Sequence, residues 1–238
     1  MKTLLIRKIQ LTSDVFQFDF KCALGKLSFK AGQFVSVKVP GTDAWRSYSI
    51  VSSPSRKDGF SLCIKIITGG IASTFFAGLA EGATVDFDGP SGSFTLGEGT
   101  SNIVMIATGV GIVPFMSMLS LLPTLLRAQK VRLLFGVRNK EDLFYLDELE
   151  EFKRSNPNFD FFVTLSRPPE GWTGLRGRVT DHLEMFCSSD RGSSDASNTQ
   201  FYICGGGEAV KDVRTLLIQK GVLPVQIRLE QFSAIGVK

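Results

Sequence analysis

The hydrophobic periodicity of the chain changes near residue 100, and that change limits the fold more than any other feature. Before it, apolar and polar residues alternate in short runs: Val15-Phe16-Gln17-Phe18-Asp19-Phe20, Gln33 to Val39, and Phe60 to Ile66. Thr84 to Phe87 and Ser93 to Leu96 are shorter runs of the same kind. A period of two marks strands with one buried face. Turn signals separate them at Ala31-Gly32, Pro40-Gly41, Asp58-Gly59, Asp88-Gly89-Pro90 and Ser91-Gly92. Many short strands at this spacing predict a sandwich or a closed barrel. One interruption, Ser73 to Leu79, reads as a short helix capped by its serine.

After the change, Asn102 to Ala107 is a near-continuous apolar run, as expected of a parallel strand covered on both faces. A helix is predicted from Pro114 to about Arg127, kinked or broken at Pro123. Four further strands follow at Val131–Gly136, Phe159–Leu165, Phe201–Cys204 and Val225–Leu229. Helices at Leu143–Lys153 and Ala209–Lys220 alternate with them. Strand–helix alternation predicts a doubly wound parallel sheet. Cys187 to Gln200, rich in Ser, Asp and Gly, reads as a mobile loop. The boundary falls in Gly97-Glu98-Gly99-Thr100, giving domains of residues 1–97 and 98–238.

Composition narrows the chemistry. The 238 residues suffice for two modest cores, and a net charge of +4 is too small to argue for nucleic acid. Cys22, Cys63, Cys187 and Cys204 lie far apart without a Cys-x-x-Cys pair, and His182 is the single histidine. No metal centre is expected from such a donor set. No Ser/His/Asp or Cys/His arrangement stands out, so the chemistry calls for an organic cofactor. The apolar run Leu4-Leu5-Ile6 is too short for a signal peptide, and nothing reaches the ~18 apolar residues of a membrane span. The expectation is a cytoplasmic chain without membrane insertion.

Four segments carry possible chemistry. Thr108-Gly109-Val110-Gly111-Ile112-Val113-Pro114 joins an apolar strand to a helix. Glycines there let a ligand approach the backbone, Pro114 suits a first helical turn, and free helix N–H groups favour a pyrophosphate. A plain tight turn is the other reading. Cys204-Gly205-Gly206-Gly207 repeats the arrangement after a second buried strand. Two such loops at strand carboxyl ends favour a dinucleotide site. Cys204 could equally be an inert buried thiol. In Arg46-Ser47-Tyr48-Ser49-Ile50, strand alternation puts Arg46 and Tyr48 on one face and Ser47 and Ser49 on the other. Arg can grip phosphate and Tyr can stack on an aromatic ligand, unless the strand simply faces solvent. Finally, the N–H groups of Gly69 and Gly70 and the hydroxyls of Ser73 and Thr74 could hold a phosphate or merely cap a helix.

Taken in order, these segments resemble the ferredoxin–NADP reductase family, which includes bacterial flavin reductases and the reductase modules of oxygenases. The carriers are Arg46-Ser47-Tyr48-Ser49, Gly69-Gly70 followed by Ser73, and Gly89-Pro90-Ser91-Gly92 ahead of Phe94. Thr108 to Pro114, Cys204-Gly205 and Glu230-Gln231-Phe232 complete the set, which spans nearly the whole chain. The resemblance implies an antiparallel β-barrel FAD domain followed by a doubly wound α/β domain for NAD(P)H. It implies an NAD(P)H-dependent flavin oxidoreductase that moves electrons to a separate acceptor: an iron–sulfur protein such as ferredoxin, a flavodoxin or an oxygenase component. It further implies that Arg46 pairs with the FAD pyrophosphate, that Tyr48 stacks on the isoalloxazine, and that Ser49 hydrogen-bonds near flavin N5. Ser47 belongs to the same cofactor-binding run. Lys65 and Ile66 would line the flavin through their backbones, and Gly70 with Ser73 would hold phosphate, beside Gly69 and Thr74. Thr108, Gly109, Gly111 and Pro114 would shape the nucleotide pocket. Cys204 and Gly205, with Gly206 beyond them, would lie beside the nicotinamide, and Glu230 and Phe232 would close the site. Ser49, Cys204 and Glu230 are thus the catalytic candidates.

Two departures from the family pattern stand out. Gly206-Gly207 replaces the usual Pro or Ser after Cys-Gly, which predicts a looser loop, and no fused iron–sulfur segment is present. Ser166-Arg167-Pro168 resembles a segment that binds the 2′-phosphate in NADP-specific relatives, and Arg176 and Arg178 could add charge, unless these are surface arginines of a mobile loop. Gly136-Val137-Arg138 resembles a family loop near the same nucleotide, where Arg138 could equally be solvated. The same Ser-Arg-Pro, followed by Trp172-x-Gly174, also resembles NADH-using reductases, so the nucleotide stays open. A free-flavin reductase and a non-catalytic flavin-binding redox sensor are the alternative functions. Ser49, Cys204 and Glu230 together argue against the sensor.

Overall fold

A computed structural model describes residues 2–22, 27–97, 102–124, 129–187 and 198–232. The chain divides into two compact units: residues up to Leu96 with Val113–Ser120, and Gly97–Ile112 with the residues from Leu121 onward.

The first unit is a six-stranded antiparallel sheet in the order β4-β3-β6-β1-β2-β5. Its strands are β1 (Lys2–Gln10), β2 (Val15–Cys22), β3 (Phe34–Lys38), β4 (Trp45–Ser49), β5 (Gly59–Lys65) and β6 (Thr84–Ser91). An antiparallel bridge between Ile50 and Leu62 joins the end of β4 to β5, at opposite edges of that order, and closes the sheet into a barrel. A closed sheet leaves no free edge, and a barrel of this size is filled by side chains. Here the filling is aromatic. Phe18 and Phe76 lie 5.1 Å apart between ring centres, and Phe60 and Phe87 lie 4.8 Å apart. Leu5, Val35, Ile50 and Leu62 pack around them. Phe76 comes from α1 (Ile71–Gly78), whose far end is fastened by Lys8. The Lys8 ammonium donates to the carbonyls of Phe76 at 3.3 Å, Ala77 at 2.7 Å and Leu79 at 3.2 Å. A cation at a helix C-terminus meets the orphan carbonyls and the negative end of the dipole.

The second unit is a six-stranded parallel sheet in the order β10-β9-β8-β7-β11-β12. Its strands are β7 (Asn102–Thr108), β8 (Lys130–Val137), β9 (Phe159–Leu165), β10 (Leu175–Arg176), β11 (Thr199–Gly206) and β12 (Ile227–Phe232). The chain starts in the middle at β7, winds outward through β8 and β9 to β10, then returns to place β11 on the other side of β7. Strand order therefore reverses between β7 and β11. Among the described residues, the α-helices of the unit are α3 (Leu146–Ser155), α4 (Glu184–Cys187) and α5 (Gly207–Gln219). Val210, Val213 and Leu217 of α5 pack with Leu183 and Phe186 over Val104, Ile106, Leu134 and Ile203. Burial on both faces explains why β7 reads as an unbroken apolar run.

α2 (Val113–Leu119) follows β7 in sequence but packs with the first unit. Its Ser117 hydroxyl donates to the Ser52 carbonyl at 2.8 Å, and its Phe115 ring lies 5.9 Å from that of Phe94.

Several expected elements differ. β1 was not foreseen: Thr3 and Leu5 point inward, and a register shift between Leu5 and Arg7 interrupts the alternation. The Asp88-Gly89-Pro90 turn signal lies inside β6, where a register shift opposite Phe34 and Ser36 absorbs it. Ser93 to Leu96 forms no strand, because Gly92, at φ +107°, turns the chain away and Phe94 is buried instead. α2 ends at Leu119 rather than running to Arg127, ahead of the proline that could not continue it. Residues 125–128 lie outside the described residues, as do 98–100 of the expected boundary and 188–197 of the expected mobile loop. α3 starts at Leu146, three residues later than expected, after a 3-10 turn over Lys140–Asp142. β10 is a sixth parallel strand of only two residues, too short to leave a periodic signal.

Candidate functional site

On the first unit, β4 presents the alternation expected of it. Arg46 and Tyr48 are half-buried on one face, and Trp45 and Ser47 are exposed on the other. Ser49, on the Ser47 side, is buried where β4 pairs with Phe34 of β3. Tyr48 meets Phe76 edge-on, with ring centres 5.2 Å apart and planes at 78°. Burial pushes its phenol up to about 12, against the opposing pull of the Arg46 guanidinium. The hydroxyl therefore stays neutral, and the ring is a fixed apolar surface with one polar end. Arg46 donates from Nη1 to the Trp45 carbonyl at 3.0 Å, and no carboxylate pairs with it among the described residues. A half-buried cation without a counter-ion fits an anionic ligand group.

The second feature of this unit is the turn before α1. Gly70 donates to the Ile67 carbonyl at 3.1 Å, and Gly69 takes a left-handed φ of +79°. Ser73 does not cap the helix. Gly70 is the N-cap, with no side chain capping it, and the Ser73 hydroxyl reaches back to accept the Ile67 N–H at 2.9 Å. Thr74 donates to the Gly70 carbonyl at 3.1 Å. The serine and threonine thus fix the turn and leave the first helical N–H groups uncapped by side chains, which suits a phosphate. Lys65 pairs with Asp14 at 2.8 Å, and the Ile66 N–H donates to the Asp14 carbonyl at 2.7 Å. The Lys65 side chain is thereby engaged by Asp14 and Ile66 packs against the barrel core, while the chain runs on from Ile66 into the glycine turn.

On the second unit, Ala107 of β7 pairs with Cys204 of β11 at the carboxyl end of the sheet. The glycine segments extend from these two strands, at the point where strand order reverses. Open α/β sheets bind ligands at such a switch point. The glycines divide into two kinds. A Cβ on Gly111 would lie 2.1 Å from the Cys204 carbonyl oxygen, and one on Gly205 would lie 2.0 Å from Thr108 Oγ1. These two interlock the segments. Gly109, at φ +55°, and Gly206 have nothing within 4 Å of a Cβ, so they face open space. Gly206 ends β11 and caps α5 with no side-chain bond, so no loose loop separates strand from helix. Pro114 is the second residue of α2 and fully buried there.

Cys204 is 1% exposed and pairs across the sheet with Glu230, and Gly206 pairs with Phe232. Burial pushes the thiol well above its usual range, and the Glu230 carboxylate adds to the shift against a backbone hydrogen bond from Gly205. The thiol is neutral. Along the same carboxyl edge, the Arg167 N–H donates to the Arg138 carbonyl at 2.8 Å and the Ser166 N–H to the Val137 carbonyl at 3.1 Å. β10 brings Arg176 opposite Leu165. Arg138, Ser166, Arg167 and Arg176 are exposed there, and no ion pair engages these arginines among the described residues. Thr164 and His182, which meet near the Arg176 carbonyl, carry no binding motif in the sequence.

Comparison with known proteins agrees with this geometry. Residues 2–96 match the oxidoreductase FAD-binding domain family and residues 105–215 the oxidoreductase NAD-binding domain family. Ferredoxin–NADP reductase B of Sorangium cellulosum is 35% identical over 228 residues, covering 94% of this chain and 93% of that one. The chain belongs to the ferredoxin–NADP reductase family. It is accordingly an FAD- and nicotinamide-dependent oxidoreductase with an electron-transfer role. The toluate 1,2-dioxygenase electron transfer component of Pseudomonas putida is 31% identical over 94% of this chain. This chain spans 65% of the length of that component, and 56% to 65% of the oxygenase components it matches. A ferredoxin NADP+ reductase from Neisseria gonorrhoeae, solved with FAD and NADP bound, superposes with a TM-score of 0.84 at 26% identity. That match covers 97% of this chain and 98% of the other. No helix among the described residues is long and apolar enough to cross a membrane.

Proposed function

We propose that this reductase holds FAD on the Arg46–Tyr48 face and the α1 turn, and receives NADH or NADPH at the glycine-lined reversal between β7 and β11. The observation that carries the reading is the pair of uncapped, glycine-entered helix starts, one per unit, with Arg46 free of an ion pair among the described residues in the first unit and exposed Arg138, Arg167 and Arg176 along the carboxyl edge of the sheet in the second. When bound, FAD supplies hydride acceptance from the nicotinamide and release of electrons singly to an acceptor. The chain's own residues do the rest. Arg46 neutralises pyrophosphate charge, and the α1 turn donates N–H groups to it. Tyr48 presents a neutral ring for stacking. Ser49 supplies a hydroxyl from a buried, fixed strand position. Gly109 and Gly206 let the nucleotide backbone come close. Cys204 keeps a neutral thiol, so no thiolate opposes negative charge moving through the site. Glu230 and Phe232 stand on the outer strand β12, opposite Cys204 and Gly206. Positioning and water exclusion are the protein's share of the catalysis.

The acceptor in this reading is a separate protein: an iron–sulfur protein, a flavodoxin or an oxygenase component. The roles of the ferredoxin reductase and oxygenase relatives support it. A cytoplasmic setting fits Cys22, Cys63, Cys187 and Cys204 as thiols rather than disulfides, since reducing compartments keep thiols reduced. The test is spectroscopic. Protein reconstituted with FAD should lose its visible flavin band on anaerobic addition of NADH or NADPH and regain it with ferredoxin. Flavin that binds and stays oxidised under excess of both nucleotides defeats the proposal.

A further inference from the structure

The only histidine of the chain, His182, is tied to the backbone of one of the exposed arginines of the second unit, Arg176. β10 is two residues long and pairs with β9 through Leu175–Thr164 and Arg176–Leu165. So short a strand cannot fix its own position, and four hydrogen bonds around it make up the deficit. The Gly177 N–H donates to the Leu165 carbonyl at 2.8 Å. The Thr164 hydroxyl, fully buried, donates to the Gly177 carbonyl at 2.8 Å. His182 Nε2 lies 3.0 Å from the Arg176 carbonyl oxygen and 3.1 Å from Thr164 Oγ1. A carbonyl only accepts, so Nε2 carries the proton and donates. The Thr164 hydroxyl has already given its hydrogen to Gly177, so it too accepts from His182. The network assigns the Nε2–H tautomer without further information.

Return of the chain to this point is built in. Gly177, at φ +109°, turns the chain, and a Cβ there would lie 2.4 Å from Asp181 Oδ2. Asp181 accepts the Arg178 N–H at 2.8 Å, which starts the 3-10 turn Val179–His182 that delivers the imidazole. On the outer side, Trp172 donates from Nε1 to the Leu175 carbonyl at 2.9 Å, and Arg176 Nη2 donates to the Trp172 carbonyl at 2.9 Å. The guanidinium of Arg176 is thus held from the outside by Trp172, and its backbone from beneath by His182.

We propose that His182 is a positioning residue for nucleotide binding: its Nε2–H holds the Arg176 carbonyl and so places the Arg176 guanidinium at the carboxyl edge of the sheet. The inference rests on the proposed function and on the sequence reading in which Arg176 adds charge toward the 2′-phosphate of the nucleotide. Nothing in it requires His182 to touch the nucleotide.

The experiment uses the FAD-loaded protein, steady-state kinetics with NADH and NADPH against ferricyanide, and four variants. Arg176→Ala tests the underlying reading and should raise KM for the preferred nucleotide. His182→Ala should raise the same KM by about three- to tenfold with kcat near the parent value, the range expected for one lost hydrogen bond. His182→Gln keeps an N–H donor at nearly the same reach and should recover most of the loss. The double variant should be no worse than Arg176→Ala alone, because His182 then has nothing left to place. If Arg176→Ala leaves KM unchanged, the reading of Arg176 fails. If Arg176→Ala raises KM and His182→Ala does not, or if the two effects multiply in the double variant, His182 is not a positioning residue. A His182→Ala protein that loses kcat, flavin content and thermal stability together, without a KM effect recovered by Gln, shows a structural role and overturns the proposal as well.

Discussion

Gly206→Ala and Gly111→Ala separate the two jobs that glycine does at the β7–β11 reversal. A Cβ on Gly206 meets nothing within 4 Å, and the residue sits at φ −65°, ψ 143°, where alanine is at ease. Its only folding cost is the poorer N-cap of α5, about 0.5–1 kcal/mol. A Cβ on Gly111 would lie 2.1 Å from the Cys204 oxygen, 2.5 Å from its carbonyl carbon and 2.8 Å from Gly205 Cα. Carbon contacts rest near 3.5 Å, so backbone must separate from backbone by about 1 Å or more. Overpacking of this kind costs about 1–3 kcal/mol, and a 1 Å misplacement in a site can cost about a hundredfold in rate. The assay pairs a thermal melt with KM and kcat for NADH and NADPH at fixed FAD loading. Gly206→Ala should keep its melting temperature within about 2–4 °C while KM for the nucleotide rises, because the added methyl occupies the approach to the uncapped α5 start. Gly111→Ala should lower both stability and kcat/KM. A Gly206→Ala protein with parent KM would show that no ligand comes close there, and a Gly111→Ala protein as stable as the parent would refute the interlock.

Three further outcomes follow from the described geometry. Lys8→Met removes an ammonium that meets three carbonyls at the end of α1, and a thermal melt should register a loss of about 1–2 kcal/mol. Tyr48 is held neutral by burial up to about 12, above its unfolded value near 10, so unfolded chains release the proton first. The stabilising difference is whole below pH 10 and is lost as pH rises from there toward 12, and denaturant midpoints across that window should fall more steeply for the parent than for Tyr48→Phe. Cys204, whose thiol is raised by burial and by Glu230, should contribute no thiolate limb to the pH–rate profile below about pH 9, and Cys204→Ala should lower kcat without moving any apparent pKa in that range.

Much of this was legible in the sequence because the signals were periodic. β7 and β11 sit buried on both faces, and their unbroken apolar runs announced a parallel sheet. Strands β2 and β3 alternate because one face fills the barrel, whereas β5 alternates in sequence although Ser61 and Cys63 on its other face are buried as well. β1 escaped because the register shift after Leu5 breaks its alternation, and β10 because two residues carry no period. The serine of α1 misled for a physical reason. Ser73 is a good cap by type, but the preceding Gly69, in the left-handed region, already turns the chain, so the helix starts three residues earlier and the hydroxyl is free to fasten the turn. The glycine segments were found as groups, yet nothing in their spelling separates Gly111, which backbone contact demands, from Gly206, which faces space. That distinction depends on a neighbouring strand far away in sequence. His182 was visible only as a shortage of metal donors, since its partners Thr164 and Arg176 become neighbours through β9–β10 pairing.

In the proposed reading, the two units would recognise anions by the same local physics from opposite starting folds. In the barrel, a strand ends in Lys65, the chain turns through Gly69 and Gly70, and α1 opens with no side-chain cap. In the parallel sheet, β11 ends at Gly206 and α5 opens with no side-chain cap. Glycine at these starts has a double effect. It leaves the N–H groups without a competing hydroxyl, and it removes the Cβ that would keep a phosphate at arm's length. The cost is a weaker cap, and each unit compensates at a distance: Lys8 fastens the far end of α1, and the apolar face of α5 packs over Ile106 and Ile203. Function here is bought by leaving each helix start open and stabilising the helix elsewhere. Restoring a side-chain cap at either start should therefore stabilise the apo-protein and weaken its hold on nucleotide, two changes of opposite sign from one substitution.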